Sequence, residues 1–104
     1  LFNTEKVSFK TGVTKELNGM LAIMNKFPTS EFVIKGYTDT TGSVSGNLKL
    51  SNRRANAVKN YLVKNGINAS RLTVKGFGQA DPIDSNKTRA GRANNRRVEV
   101  KVTN

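Results

Sequence analysis

The chain has 104 residues, of which 36% are hydrophobic, and these numbers predict one domain with one small core. Its formal net charge is +11, from 18 Lys and Arg against 7 Asp and Glu, which favours partners that carry negative charge. The absence of Cys and His excludes disulfides and thiolate chemistry, and it removes the commonest general base and metal ligand.

The first half of the chain predicts two strands that flank a helix. EKVSF, residues 5–9, alternates apolar and polar side chains as a short strand does. TKELNGMLAIMNKF carries an apolar stripe at helical spacing, and we expect this helix to end at Pro28. EFVIKGY, Glu31 to Tyr37, predicts a strand, and TDTTGSVSGN, Thr38 to Asn47, predicts a loop.

A second helix is predicted to begin after Ser51 as its N-cap and to run to about Asn65, with Gly66 as the residue that ends it. RLTVKGF and RVEVKV predict two further strands, over residues 71–77 and 97–102, with a helical turn near 89–95. The order β-α-β-α-β-turn-β predicts an α+β fold of two layers, in which helices pack on one face of a mixed sheet.

Arg54 breaks two rules of helix design. At about 100° per residue it falls inside the apolar arc of the second helix, while Arg53 points to solvent. With Ser51 as N-cap, both arginines lie in the first turn, where cations are disfavoured by roughly 0.3–1 kcal/mol each. An arginine beside free helix N–H groups suits a carboxylate or a phosphate. The alternative is that its stem packs along the sheet while its head group reaches water.

Asp39 is the one acid between Phe32 and Ala80. It follows a strand, at the edge where open α/β sheets bind ligands, and the next helix brings Arg54. The two side chains together suit a zwitterion, whose ammonium would meet Asp39 and whose carboxylate would meet Arg54. The alternatives are that they pair with each other or that Asp39 only caps a turn.

These residues resemble the OmpA-like C-terminal family, which includes the peptidoglycan-associated lipoprotein and MotB. The resemblance rests on GYTDTTG, Asn47, Leu50-Ser51 and RRANAV, and it continues through GINASRLTVKGFGQADPI and NKTRAGRANNRRVEV. It implies a βαβαββ fold and non-covalent binding of cell-wall peptidoglycan through the diaminopimelate of the stem peptide.

The resemblance also implies roles for individual residues. Asp39 and Arg54 match the pair that binds diaminopimelate, and a lysine-type stem peptide would leave Arg54 without its carboxylate. Further residues match positions that shape the pocket or brace the last strand near it: Thr38, Asn47 and Leu50 in the pocket, and Asn95 and Arg96 as secondary residues.

Lys10 departs from the family pattern, which has an acid or an amide there. This departure motivates an alternative function, a protein-interaction scaffold that keeps the fold and has lost wall binding. The basic run NKTRAGRANNRR is either a patch for an anionic polymer or a solvated loop whose arginines pair with Asp81 or Asp84. Nucleic acid is not an expected partner, because no sheet aromatics follow an RNA-binding pattern.

No carboxylate pair or activated nucleophile can be assembled, so we expect no enzymatic activity, no cofactor and no metal. The predicted partner is peptidoglycan, and the longest apolar run, MLAIM, is too short for the domain itself to enter a membrane. The expected location is the periplasm, with attachment to the outer membrane through a region outside this chain. The chain begins at Leu1, so we expect residues 1–104 to be a single domain from the C-terminal part of a longer protein.

Overall fold

The structure is a computed structural model that describes residues 14–103. Helix α1 spans Thr14–Lys26, strand β1 spans Phe32–Gly36 and helix α2 spans Val44–Lys64. The strand predicted over residues 5–9 lies outside the described residues, and so does Lys10.

The second half contains two strands and a short helix. A 3-10 turn at Ala69–Arg71 leads into strand β2, Leu72–Gly76. Helix α3 spans Arg89–Asn95 and strand β3 spans Val98–Val102. The three predicted strands that fall in the described residues and the predicted helical turn are therefore confirmed to within a residue or two. In the described part of the chain, no helix combines the length and the apolarity that crossing a bilayer requires.

The three described strands form one mixed sheet in the order β2-β1-β3. Strand β1 runs parallel to β2, with Phe32 opposite Leu72, and antiparallel to β3, with Phe32 opposite Val102. Parallel neighbours need a long crossover connection, and α2 supplies it between β1 and β2. This arrangement confirms the predicted α+β fold.

The core lies between this sheet and the helices. Alternate strand residues point to the same side of a sheet, and here one set packs against α1 and α2. Those strand residues are Phe32, Ile34, Leu72, Val74, Val98 and Val100. The helices contribute Leu17, Met24, Ala55, Val58 and Leu62, all essentially inaccessible to solvent. The other side of the sheet carries the alternate set, including Lys35, Lys75 and Lys101.

Two glycines at the strand ends let α2 approach the sheet closely. A Cβ atom added to Gly36 would collide with the carbonyl oxygen of Ser51. One added to Gly76 would lie 2.6 Å from the Asn52 nitrogen and 2.7 Å from Ser51 Oγ. The backbone of α2 therefore rests directly on the ends of β1 and β2, and the turn that follows carries Arg54.

The predicted start of the second helix at Ser51 is wrong. Ser43 is the N-cap, and its side chain accepts a hydrogen bond of 3.0 Å from the Gly46 N–H. Ser51 is buried inside α2, where its hydroxyl donates to the Leu48 carbonyl and accepts from the Gly78 N–H, at 2.9 and 2.8 Å. Arg54 consequently lies about three turns into the helix, so the predicted conflict with the helix dipole does not arise.

The predicted end of this helix is confirmed. The helix stops at Lys64 with Asn65 as C-cap, and Gly66 follows with a φ of 103°. A left-handed residue after the last turn is the usual way in which a helix ends, and glycine adopts it without strain.

Candidate functional site

The candidate site lies beyond the carboxyl end of β1, where the chain continues as Tyr37, Thr38 and Asp39. The Thr38 N–H donates to the Gly78 carbonyl at 2.7 Å, and the Tyr37 N–H donates to the Arg97 carbonyl at 2.9 Å. These bonds hold the segment between the residues that follow β2 and those that precede β3. Asp39 is thus fixed at the edge of the sheet, where ligands of α/β proteins commonly bind.

Asp39 is an ionised carboxylate held by the protein itself. It is 3% exposed; its Oδ1 accepts the Thr41 N–H at 2.8 Å and its Oδ2 accepts Nη1 of Arg96 at 2.7 Å. Burial acts to raise the pKa of this carboxyl, but the hydrogen bonds from Thr41 and Arg96 outweigh it, so the pKa is lowered from its ordinary value. The carboxylate therefore keeps its charge at neutral pH.

Arg54 is fully buried, with 0% of its surface exposed. Burial, reinforced by the positive charge of Arg96 and opposed by Asp39, lowers the pKa of its guanidinium to about 10. The group stays protonated at neutral pH. This burial excludes the alternative in which the head group of Arg54 reaches water, and it places two cations and one anion in the same electrostatic cluster.

Thr38 and Asn47 hold the backbone around Asp39. Thr38 Oγ1 donates to the Asp39 carbonyl at 2.8 Å. Asn47 Nδ2 donates to the same carbonyl at 3.3 Å and to Gln79 Oε1 at 3.2 Å. Asn47 was predicted to lie in a loop, whereas it lies in the first turns of α2, because that helix begins at Val44. Both side chains shape the site by fixing its main chain.

A cleft of about 320 Å³ opens beside this cluster. It is lined by the residues before α2 and by one face of its first turns: Thr41, Gly42, Ser43, Gly46, Asn47, Leu50 and Arg53. Asn47 connects the cleft to Asp39, since it both lines the cavity and bonds the Asp39 carbonyl. Leu50, also predicted from sequence, forms an apolar part of the same wall. The buried charges of Asp39 and Arg54 lie behind this wall and do not line the cleft themselves.

Arg53 was predicted to point to solvent, and the structure also places it in the wall of the cleft. It is exposed, yet it lines both the cleft and an adjoining cavity of about 450 Å³, which also involves Gly46, Lys49, Asn52 and Asn56. A correct helix start would have revealed this, because Gly46, Leu50 and Arg53 fall at i, i+4 and i+7 on one face.

Arg96 and Asn95 were predicted as secondary residues that brace the last strand. Arg96 does more, since it makes the ion pair with Asp39. The Asn95 side chain instead holds the segment before α3: its Oδ1 accepts the Ile83 and Asp84 N–H groups at 2.8 and 3.0 Å, and its Nδ2 donates to the Asp84 carbonyl and Asn86 Oδ1 at 3.0 and 2.9 Å. Asn95 therefore stabilises the loop next to the site.

Two arginines of the basic run bind backbone oxygens in this loop. Arg92 Nη1 donates to the Asn86 carbonyl at 3.1 Å, and Arg97 Nη2 donates to the Asp81 carbonyl at 2.8 Å. The Asp84 carboxylate accepts from Asn94 Nδ2 at 2.8 Å. Within residues 14–103, no three acidic, His or Cys side chains come close enough together to hold a metal ion.

The fold and the site together define a small α+β domain that holds opposite charges beside a cleft at the ends of its strands. The chain belongs to the OmpA family, which matches residues 1–96. It is 36% identical over 102 residues to the probable lipoprotein YiaD of Escherichia coli K12, covering 98% of this chain and 47% of YiaD.

Two further proteins extend the comparison. The peptidoglycan-binding protein ArfA of Mycobacterium bovis is 43% identical over 86 residues, which cover 83% of this chain and 26% of ArfA. The chain thus spans less than half of the length of YiaD and of ArfA. The crystal structure of the peptidoglycan-associated lipoprotein from Burkholderia pseudomallei superimposes with a TM-score of 0.90 at 24% identity, covering 98% of this chain and 86% of that one, and it shows the same fold.

Proposed function

We propose that this domain binds cell-wall peptidoglycan without catalysis, through the diaminopimelate of the stem peptide, and so anchors an outer-membrane or membrane protein to the wall. The observation that carries the proposal is the buried cluster of Asp39, Arg54 and Arg96 next to an open cleft. The name of the relative ArfA, a peptidoglycan-binding protein, supports it.

The chemistry of the ligand matches the charges of the cluster. Diaminopimelate in a stem peptide has a free ammonium and a free carboxylate on one carbon atom. Asp39 takes the ammonium, and the protonated guanidinium of Arg54 takes the carboxylate, as a charge-assisted and geometrically specific pair. Thr38 and Asn47 fix the main chain at Asp39, and Leu50 packs against the aliphatic part of the ligand from the wall of the cleft.

In this proposal Arg96 occupies the place of the ligand ammonium. Its Nη1 lies 2.7 Å from Asp39 Oδ2, the distance at which a bound ammonium would also lie. Ligand entry from the cleft therefore exchanges one cation for another at the same carboxylate, so Asp39 never becomes an unpaired buried charge. Such an exchange keeps the net gain small, and we expect weak binding of a single head group that many tethered copies strengthen by avidity.

The proposed location follows from this function. The domain lies in the periplasm and is attached to the outer membrane through a region outside this chain. The relative YiaD, named as a probable lipoprotein, supports an attachment of this kind.

The test is an NMR titration that follows the backbone amides of residues 38–54, first with a stem peptide that contains meso-diaminopimelate and then with the same peptide containing lysine. We expect the diaminopimelate peptide to shift these amides and the lysine peptide to bind at least about tenfold more weakly, because the lysine side chain ends in an ammonium and offers Arg54 no carboxylate. Equal binding of both ligands would contradict the proposed role of Arg54.

Sedimentation with purified sacculi tests the function at the level of the wall. We expect the wild type to sediment and Asp39→Ala and Arg54→Ala to remain in solution, with Lys64→Gln as the control for a lost positive charge on the same helix. Sedimentation of all four proteins alike would indicate non-specific attraction, and failure of the wild type to sediment would favour the scaffold alternative. Retention on oligonucleotides that is indifferent to Asp39 would favour nucleic acid.

A further inference from the structure

Among the described residues, the face of the sheet opposite the helices carries more cationic than anionic side chains. Its three strands contribute Lys35, Lys75 and Lys101 to this face, together with Arg97 directly before β3. Within the three described strands, Glu99 is the one acid on this side, and Glu31 directly before β1 falls at the same alternation. The Glu99 carboxylate lies 2.8 Å from Arg97 Nε and 3.8 Å from Lys101 Nζ. Two acids, Glu99 and Glu31, thus stand against four cations on this face and its margins.

Lys35 and Lys75 are register partners in the parallel pair of β1 and β2. Like charges placed directly opposite each other destabilise a sheet, and proteins tend to keep such local violations at functional sites. In the antiparallel pair of β1 and β3, Lys35 lies opposite Glu99, whose carboxylate already contacts Arg97 and Lys101. The two lysines therefore present an ammonium pair that an external anion can balance.

These lysines border a groove of about 390 Å³, which we name the lysine groove. It is lined by Val33, Lys35, Thr73, Lys75, Phe77 and Thr103. Its floor is the sheet itself, and its two threonines offer hydroxyl groups that can donate to a carboxylate. The groove thus combines positive charge with neutral donors.

The lysine groove reaches towards the candidate site. Lys35 Nζ lies 5.8 Å from the centre of the Phe77 ring, and Phe77 stacks on Tyr37 with their centres 5.4 Å apart. Arg97 covers Tyr37 at 3.9 Å, and Tyr37 lies two residues before Asp39. The adjacent residues Arg96 and Arg97 therefore lie on different surfaces: Arg96 contacts the Asp39 carboxylate at the candidate site, and Arg97 lies on the outer face of the sheet.

We propose that the lysine groove binds the carboxylates of a second stem peptide of the same wall polymer whose diaminopimelate occupies the Asp39 site. This inference rests on the proposed function. Charge complementarity favours it, since stem peptides bear several carboxylates and the groove bears two ammonium groups. A polymer held at Asp39 also presents its neighbouring anionic groups at a high effective concentration.

The experiment compares two double variants that remove the same charge. Lys35→Gln with Lys75→Gln removes the groove lysines, and Lys59→Gln with Lys64→Gln removes two lysines of α2. Binding to purified sacculi is measured at several salt concentrations, and binding of free meso-diaminopimelate is measured by NMR. Thermal unfolding verifies that both variants are folded.

We expect the groove variant to bind sacculi about tenfold more weakly than wild type at low salt, and nearly equally at about 1 M salt, where surface charges are screened. We expect the α2 variant to bind sacculi like wild type. Both variants should bind free diaminopimelate unchanged, because neither pair touches the Asp39 cluster.

Three results would overturn the inference. Equal losses in both variants would assign the effect to net charge, and no loss in either would show that the groove is not used. A loss of binding to phosphatidylglycerol vesicles in the groove variant, with sacculus binding intact, would assign the groove to lipid phosphates. Failure of the proposed function shows differently, as an absence of diaminopimelate binding by the wild type.

Discussion

Arg96 and Asp39, 57 positions apart in sequence, form an ion pair of 2.7 Å at the edge of the sheet. The carboxylate assigned to the ligand ammonium is therefore neutralised before any ligand arrives. The pair links the start of the last strand to the end of the first described strand, and it makes ligand binding a competition between cations.

This competition predicts that Arg96→Gln binds diaminopimelate more tightly than the wild type. Removing the guanidinium leaves Asp39 available to the ligand ammonium, and we expect roughly a threefold to tenfold gain in affinity, of the size of one partly exposed ion pair. Isothermal titration calorimetry measures it. Weaker binding would show that Arg96 contacts the ligand instead of being displaced by it.

The same substitution should destabilise the free domain. Asp39 would lose a charged partner while it remains buried, and we expect a loss of about 1–3 kcal/mol in the free energy of unfolding. Urea denaturation measures this loss. Saturating diaminopimelate should restore part of it, because a ligand that binds the folded state stabilises it by mass action.

Arg54→Met should abolish diaminopimelate binding while it changes the stability of the fold little. Burial lowers the pKa of Arg54 to about 10, which shows that the charged form is disfavoured inside the fold. Apolar replacement of a whole buried ion pair is often neutral or stabilising, whereas removal of one partner is costly when it leaves the other unpaired. In Arg54→Met the Asp39 carboxylate keeps its ion pair with Arg96, so we expect the free energy of unfolding to stay within about 1–2 kcal/mol of the wild type. Diaminopimelate binding should be lost. A strongly destabilised variant would show that Arg54 is retained for the fold.

The free energy of unfolding should depend on pH through the ionisation of Asp39. Its pKa is lowered in the folded state, so its contribution is complete above the unfolded value of about 3.9 and disappears as pH falls through the folded value. We therefore expect the difference in unfolding free energy between wild type and Asp39→Asn to be constant above about pH 5 and to shrink below about pH 4. Denaturant titrations across this range measure it.

Asp84→Asn is the control for this experiment. The pKa of Asp84 is also lowered, by hydrogen bonds from Asn94 and Ser85, but Asp84 is exposed. Its substitution should change stability less than that of Asp39 at neutral pH. A difference for Asp39→Asn that grows as pH falls would contradict the ion pair with Arg96.

Gly76→Ala should disturb the site through the backbone of α2. The added Cβ would meet the Asn52 nitrogen at 2.6 Å, and such overpacking costs typically about 1–3 kcal/mol. Gly19→Ala is the matched control, because nothing lies within 4 Å of its Cβ and alanine favours a helix over glycine by about 0.5–1 kcal/mol. Thermal unfolding should therefore move in opposite directions, and the NMR signals of residues 38–54 should shift only in Gly76→Ala.

The strands and most helix boundaries were predictable because their patterns are local. RVEVKV alternates along β3, and Gly66 marks the end of α2. The beginning of α2 was not predictable in the same way. Its first turns contain Gly46 and expose Val44 and Leu48, so they lack an apolar stripe, whereas Ser51 precedes one and resembles a cap.

The site was predictable in part for a similar reason. The apolar arc of α2 correctly indicated that Arg54 faces the core, and the strand end indicated the position of Asp39. The ion pair with Arg96 joins residues far apart in sequence, and no periodicity reports such a contact. The position of Arg53 in the wall of the cleft was missed because it depends on the true start of the helix.

The contact between α2 and the glycines of β1 and β2 makes the position of Arg54 less dependent on which apolar residues fill the core. The shortest approaches at Gly36 and Gly76 are to main-chain atoms of α2, which are the same whichever side chains most neighbouring positions carry. Apolar residues deeper between the layers can therefore diverge among homologues without moving Arg54 relative to Asp39. Two residues without a side chain can therefore keep Arg54 in place relative to Asp39 while residues of the interior vary.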